Sequence, residues 1–177
     1  MDKANEIERL KPLADAGDIT AQYDLADLYW KNGNKVEAVK WLRKVAEQKQ
    51  IADERVAKAQ YSLGICYLYG DDGVSKDEIT AREWLYKSAE QGFALAQLTL
   101  GRCYFYGLGG SKDYAKAFEC FRNAAEQRQA LAWYLLGICH LNGKGVPEDV
   151  AQAKECFQKA EDQGLLEAKQ QLQAFPN

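Results

Sequence analysis

The sequence predicts an all-α protein in which antiparallel helix pairs repeat along the chain, and three observations support this prediction. One motif, Ala-x-x-x-Leu followed by a small residue, recurs four times at intervals of 38, 37 and 36 residues. A second motif, which ends in Gln, alternates strictly with the first, and this alternation indicates a two-helix repeat used four times. Only three prolines occur in 177 residues, which leaves long stretches free to be helical. The first motif begins at Ala21, Ala59, Ala96 and Ala132, and the second at Trp41, Trp84, Cys120 and Cys156.

The first helix of each repeat, helix A, carries the Ala and the Leu of its motif on one face. In three repeats a glycine follows this Leu, at Gly64, Gly101 and Gly137. Glycine in the middle of a helix costs about 1 kcal/mol relative to alanine, so its recurrence predicts that a second helix packs closely on the helix A backbone. Helix A is predicted to end at glycines suited to a left-handed cap, which are Gly70, Gly107 and Gly143.

The second helix of each repeat, helix B, is predicted to begin near an aspartate that can cap its N-terminus. These aspartates are Asp77, Asp113 and Asp149. Residues at i, i+4 and i+7 then give helix B an apolar core face. In the last two repeats this face consists of Ala117, Phe121 and Ala124, and of Ala153, Phe157 and Ala160.

The whole chain is predicted to be a single repeat domain of about ten helices. The segment 1–20 resembles a lone helix B, the segment 166–177 resembles the start of a further helix A, and both are expected to cap the array. The predicted full repeats are 21–58, 59–95, 96–131 and 132–165.

Composition and charge exclude several classes of function. The formal net charge of −3 argues against nucleic-acid binding, which needs clustered Lys and Arg. No run of 18 apolar residues is present, so membrane insertion is not expected. The polar start, residues 1–6, lacks the apolar core of a signal peptide. A cytoplasmic location is therefore predicted.

The recurring pattern resembles the Sel-1-like repeat, a longer-looped relative of the tetratricopeptide repeat. The segment 59–92 carries the resemblance best, with Ala-x-Tyr-x-Leu-Gly-x-x-Tyr-x-x-Gly, then Gly-Val and Asp, then a helix ending in Lys-x-Ala-Glu-Gln-Gly. The first repeat departs from the pattern: its turn is only Asn32-Gly33-Asn34, and its exit segment 49–58 is about six residues longer. The resemblance implies a right-handed α-α superhelix, or solenoid, of antiparallel helix pairs that acts as an adaptor or scaffold.

By analogy with the tetratricopeptide repeat, helix A lines the concave side, and its third, seventh and tenth positions form an inward stripe. We name these twelve residues the concave stripe and predict that they bind a peptide or a helix of a partner protein. Tyr, Trp and Arg are common anchors of interfaces, whereas the alternative is that these side chains fill gaps between neighbouring helices. The concave stripe consists of Tyr23, Asp27, Trp30, Tyr61, Ile65, Leu68, Leu98, Arg102, Phe105, Tyr134, Ile138 and Leu141. Tyr69, Tyr106 and Trp133 are further candidates.

Nothing in the sequence predicts catalysis, a cofactor or a metal site. Five cysteines fall at repeat-equivalent positions, where buried, reduced thiols are expected; a pair within one repeat, such as Cys103 with Cys120, stays possible. No Cys-x-x-Cys or His pair suits zinc, and the single histidine, His140, stands at a Tyr position where packing is expected. No nucleotide-binding glycine motif is present, since Gly107 to Gly110 belong to an interhelical loop.

Three functions therefore remain open from the sequence. The first is a protein–protein interaction adaptor that grips a partner segment in its groove, as a monomer or a weak homodimer. The second is a self-assembling structural protein, and the third is a specific inhibitor or immunity-type protein that blocks an enzyme.

Overall fold

The structure is a computed structural model that describes residues 3–48, 53–70 and 73–175. In these ranges it contains ten α-helices and no strand, which confirms the all-α fold class. The long exit segment predicted for the first repeat lies partly outside the described residues, at positions 49–52. The helices are α1 (Lys3–Asp15), α2 (Ile19–Lys31), α3 (Lys35–Ala46), α4 (Glu54–Tyr69), α5 (Glu78–Glu90), α6 (Ala94–Tyr106), α7 (Tyr114–Glu126), α8 (Ala130–Leu141), α9 (Val150–Asp162) and α10 (Leu166–Gln173).

The chain forms two compact units, Met1–Phe93 and Ala94–Asn177. The N-terminal unit contains α1 to α5, and each of these helices packs against the next. The C-terminal unit contains α6 to α10, packed in the same consecutive manner. Helix A corresponds to α2, α4, α6 and α8, and helix B to α3, α5, α7 and α9. Whether the two units fold as one domain with terminal half-repeats stays a prediction.

Close packing of helix B on the helix A glycines is confirmed in both units. A Cβ atom placed on Gly64 would lie 2.7 Å from Leu85 Cγ of α5. The same atom on Gly101 would lie 2.6 Å from the Phe121 ring of α7, and on Gly137 2.5 Å from the Phe157 ring of α9. Any side chain at these positions would push the two helices apart, so the glycines set the spacing within each pair.

The predicted aspartate caps of helix B are also confirmed. Asp77 accepts hydrogen bonds from the backbone N–H groups of Ile79 and Thr80, at 3.0 and 3.1 Å. Asp113 and Asp149 accept one each, from Lys116 and Gln152, both at 3.0 Å. These bonds satisfy N–H groups that have no partner within the helix. The predicted core faces of the last two helices B are completely buried.

A relay of glutamine side chains joins successive helices of the N-terminal unit. Gln22 of α2 donates from Nε2 to the carbonyl oxygen of Ala14, which lies in α1, and its Oε1 accepts a hydrogen bond from Gln48, just after α3. Gln60 of α4 repeats this arrangement, donating to the carbonyl oxygen of Ala46 at 3.0 Å and accepting from Gln91 after α5. Because the two carboxamides are buried, each uses its donor and its acceptor inside the protein.

Candidate partner-binding groove

An open groove of about 500 Å³ lies between α2 and α4 in the N-terminal unit. Five residues of the concave stripe line it, namely Tyr23, Asp27, Trp30, Tyr61 and Ile65. The structure thus brings together most of the stripe predicted for the first two repeats. The other lining residues are Ala26, Leu42, Ser62, Cys66, Tyr69 and Gly70.

Helical periodicity explains which side chains reach the groove. On α2 the lining residues Tyr23, Asp27 and Trp30 are spaced i, i+4 and i+7, as the stripe predicts. On α4 the spacing is i, i+4 and i+8, so Tyr69 lines the groove whereas Leu68 is only 5% exposed. The tenth position of the tetratricopeptide pattern therefore selects the core residue here, and its neighbour lies at the surface.

The groove wall combines accessible aromatic surface with one carboxylate. Trp30 is 38% exposed and Tyr69 is 63% exposed, which are large values for side chains of this size. Asp27 forms an ion pair with Lys31 one turn further along α2, at 2.5 Å, and its side chain is still 49% exposed. Partial burial raises the pKa of the Tyr23 phenol; Lys58 opposes this rise, while Asp27, Asp24 and Glu54 add to it. The phenol therefore stays protonated at neutral pH and can donate a hydrogen bond.

The stripe residues of the C-terminal unit are mostly packing residues. Leu98 and Phe105 are each 8% exposed, and the Phe105 ring lies 5.3 Å from Tyr114 and 6.2 Å from Phe121. Arg102 is exposed. Half-buried members of the stripe on α8 pack against the core around Phe157, and these are Tyr134, Ile138 and Leu141. The burial of Leu98 and Phe105 agrees with the alternative of gap-filling side chains, and ligand contact by this part of the stripe stays a prediction.

The cysteines and the histidine belong to the packed interior. None of the five cysteines forms a disulfide in the structure, and burial raises the pKa of Cys120 and of Cys139 to about 12. Such thiols stay protonated at neutral pH and are poor nucleophiles. His140 lies edge-on to the Phe118 ring at 5.3 Å, and its buried Nδ1 makes no hydrogen bond to any residue that the structure describes. Across the described ranges, no three His, Cys, Asp or Glu side chains cluster closely enough to hold a metal ion.

Comparison with known proteins settles the family. The model of the Sel1 repeat matches four segments, at residues 19–49, 57–93, 94–129 and 130–165, which together cover most of the chain. The protein belongs to the Sel1 repeat family. Sel1 repeats generally serve as non-catalytic scaffolds for protein–protein interactions. No curated protein sequence matches this Sel1 repeat chain significantly.

Two solved structures are similar in sequence as well as in fold. One is c5321, a protective antigen present in uropathogenic Escherichia coli strains that displays an SLR fold, with 34% identity over 94% of this chain and a TM-score of 0.84. The other is a Sel1 repeat protein from Oxalobacter formigenes, with 33% identity over 88% of this chain and a TM-score of 0.80. This Sel1 repeat chain spans 35% of the length of c5321 and 63% of the length of the Oxalobacter formigenes protein. Helicobacter pylori cysteine rich protein B, 21% identical over 74% of this chain and 91% of its own, shares the fold with a TM-score of 0.54.

None of the described helices of this Sel1 repeat protein is both long enough and apolar enough to cross a bilayer.

Proposed function

We propose that this Sel1 repeat protein is a non-enzymatic adaptor that holds a segment of a partner protein in the groove between α2 and α4. The observation that supports this proposal is the open, aromatic-lined cavity of about 500 Å³ on the helix A side of the first two repeats. Aromatic side chains that stay accessible in a folded monomer commonly anchor interfaces. A groove between two helices suits an amphipathic helix or an extended peptide.

Three further points support an adaptor role. Membership of the Sel1 repeat family supports an interaction scaffold in general. Raised thiol pKa values at Cys120 and Cys139 leave the chain without an activated thiol at these two positions. Five cysteines without a disulfide suit a reducing compartment, and we therefore propose a cytoplasmic location.

The adaptor proposal is tested with peptides selected on the wild-type protein from a randomised phage-displayed library. Trp30→Ala and Tyr69→Ala remove exposed aromatic groups from the groove, so each should raise the Kd of a selected peptide about tenfold or more. Tyr86→Ala is the matched control, because Tyr86 is a tyrosine of similar exposure, 46%, that lies on α5 in the same unit and does not line the groove. Equal binding by all three variants would contradict the proposal, as would a selection that yields no peptide.

Self-assembly is a second candidate, supported by a different observation. Each helix A of the C-terminal unit, counting α10, presents an exposed leucine at an equivalent position. Leu95 is 39% exposed, Leu131 38% and Leu166 72%, whereas the equivalent positions in the N-terminal unit carry Thr20 and Lys58. Leucines exposed at a regular interval could pair with a second copy of the chain, and the mass in solution tests this candidate.

A further inference from the structure

The groove between α2 and α4 carries charge of one sign. Among the lining residues that the structure describes, Asp27 is the single acidic or basic one, and the others are apolar, aromatic, small or weakly polar. The carboxylate lies half exposed at the wall, so a ligand that enters the groove can reach it. A carboxylate pairs with a cationic group and not with a neutral one, so it discriminates between the two kinds of ligand.

The ammonium groups nearest the groove are paired with carboxylates of the chain. Lys58 pairs with Glu54 at 2.6 Å, and Lys31 pairs with Asp27 at 2.5 Å. Asp24 is a further carboxylate near Tyr23, while the Lys35 ammonium lies close to the Trp30 ring. The Asp27 carboxylate at the wall is therefore the charge that a ligand inside the groove meets, and it favours a cation over an anion.

The aromatic wall suits the same kind of ligand. A cation is attracted to the face of a Trp or Tyr ring within about 6 Å of its centre. Trp30 already engages a cation of the chain itself, since the Lys35 ammonium lies 5.7 Å from its ring centroid. Tyr23, Tyr61 and Tyr69 supply three more rings around the same cavity. Aromatic rings and a carboxylate in one groove are the residue types with which proteins bind an ammonium or guanidinium group.

We infer that the groove selects a partner segment by a cationic side chain, a lysine or an arginine, flanked by apolar residues. The incoming cation displaces Lys31 from Asp27 and lies against the aromatic rings, while its apolar neighbours cover Ile65 and the exposed part of Trp30. This inference rests on the proposed adaptor function and adds the chemistry of the partner to it. Lys31 then acts as an internal competitor for the site.

The test uses the peptides selected on the wild-type protein, with removal of those that still bind a Trp30→Ala/Tyr69→Ala double variant. The inference expects the remaining peptides to share a lysine or arginine between apolar residues. One such peptide is synthesised twice, with its cationic residue intact and with a neutral norleucine in its place. Both are titrated against the wild type and the Asp27→Asn variant.

On the wild type, the neutral peptide should bind about tenfold or more weakly than the cationic one, as expected for loss of a charge-assisted contact. On Asp27→Asn this difference should shrink to about threefold or less, leaving the contribution of the rings. Lys31→Met should tighten binding of the cationic peptide and leave the neutral one unchanged, because it removes the competitor. Asp162→Asn, the same change of charge on α9 in the other unit, should alter neither.

The possible outcomes distinguish failure of the inference alone from failure of the proposed function. Groove-dependent peptides without a common cation, or an undiminished difference on Asp27→Asn, overturn the inference and leave the adaptor function standing. Enriched acidic peptides would likewise overturn it. If no peptide depends on Trp30 and Tyr69, the adaptor function and the inference fail together.

Discussion

Gly137 lets α8 and α9 pack closely because its side chain is only a hydrogen atom. A Cβ atom there would lie 2.5 Å from one carbon of the Phe157 ring and 2.7 and 2.9 Å from two others. The ring cannot easily move away, because Phe157 is completely buried with Tyr134 at 5.5 Å and Phe175 at 6.1 Å. A close contact within a packed core therefore outweighs the weak helix propensity of glycine.

Overpacking a core usually costs about 1–3 kcal/mol. The better helix propensity of alanine offsets about 1 kcal/mol of this. Gly137→Ala is therefore expected to lower the free energy of unfolding by up to about 2 kcal/mol. Urea unfolding followed by circular dichroism measures the change. Adding Phe157→Leu should recover part of the loss caused by Gly137→Ala, and a variant more stable than the wild type would contradict this account.

Leu100 is 3% exposed and lies on the core face of α6. Leu100→Ala should lower the free energy of unfolding by about 2–5 kcal/mol, the range for emptying a buried leucine site. Leu172→Ala in α10 should have a smaller effect, because Leu172 is only partly buried at the end of the C-terminal unit. Denaturant melts of the two variants should rank them in this order; the reverse order would show that Leu100 does not belong to the core.

The thiol of Cys139 should resist alkylation in the folded protein. With its pKa raised to about 12 by burial, only about one molecule in ten thousand carries the reactive thiolate at pH 8. Iodoacetamide should modify it about a thousandfold faster in urea than in buffer, since the unfolded thiol has a pKa of about 8.5. The native rate should also rise about tenfold per pH unit up to about pH 10.5, whereas a plateau above about pH 9.5, as for an ordinary thiol, would contradict the raised pKa.

The hydrogen bonds between successive helices give the repeats a polar specificity that apolar packing lacks. Gln60 requires both a donor and an acceptor, because its Nε2 faces the carbonyl oxygen of Ala46 and its Oε1 faces the amide of Gln91. Glutamate has the same shape but, when ionised, donates nothing. It would place a carboxylate oxygen against the carbonyl oxygen of Ala46 in a buried position.

Gln60→Glu should therefore lower the free energy of unfolding by about 1–3 kcal/mol at pH 7, the range for an unsatisfied buried group. Burial raises the pKa of the new carboxyl in the folded state above its unfolded value of about 4.3. The variant is then least affected below pH 4, where a protonated carboxyl can donate to Ala46, and it loses stability as the pH rises above that value. Gln170→Glu on α10 is exposed and should show neither effect.

Helix pairing, caps and core faces could be predicted from the sequence because each depends on local chemistry. Asp149 caps α9 by accepting a hydrogen bond from the backbone N–H of Gln152, only three residues away. Gly137 is recognisable because a glycine recurs at this position of helix A in three repeats. The glutamine relay was missed, although Gln22, Gln60 and Gln97 recur as regularly as the glycines. A buried glutamine looks like a surface residue until its partners, which are distant in sequence, are known.

The groove was only partly predictable for a related reason. Stripe positions share a helix face, but burial depends on what packs against that face from neighbouring helices. Asp27 and Trp30 reach the groove, whereas Leu98 and Phe105 at equivalent spacing are buried in the C-terminal unit. Tyr69 lines the groove instead of Leu68 because consecutive residues point about 100° apart around α4. The tetratricopeptide pattern could not distinguish between these two positions.

The molecule as a whole is expected to be a monomer in dilute solution. Light scattering at low micromolar concentration should give a single species near the chain mass of 19.9 kDa. A stable dimer would favour self-assembly, and Leu131→Ser and Leu166→Ser should then dissociate it, since these leucines lie exposed in the C-terminal unit. Retention of the dimer in both variants would place the contact elsewhere.

The glutamine relay affects how a gene that encodes such repeats can gain or lose a repeat. Gln22 and Gln60 make the same two bonds, one backward to a carbonyl oxygen and one forward to another glutamine. A tandem copy of either of the first two repeats, 38 or 37 residues long, would therefore already carry the donor and the acceptor that its neighbours require. Duplication or loss of such a segment preserves this pairing without a further mutation.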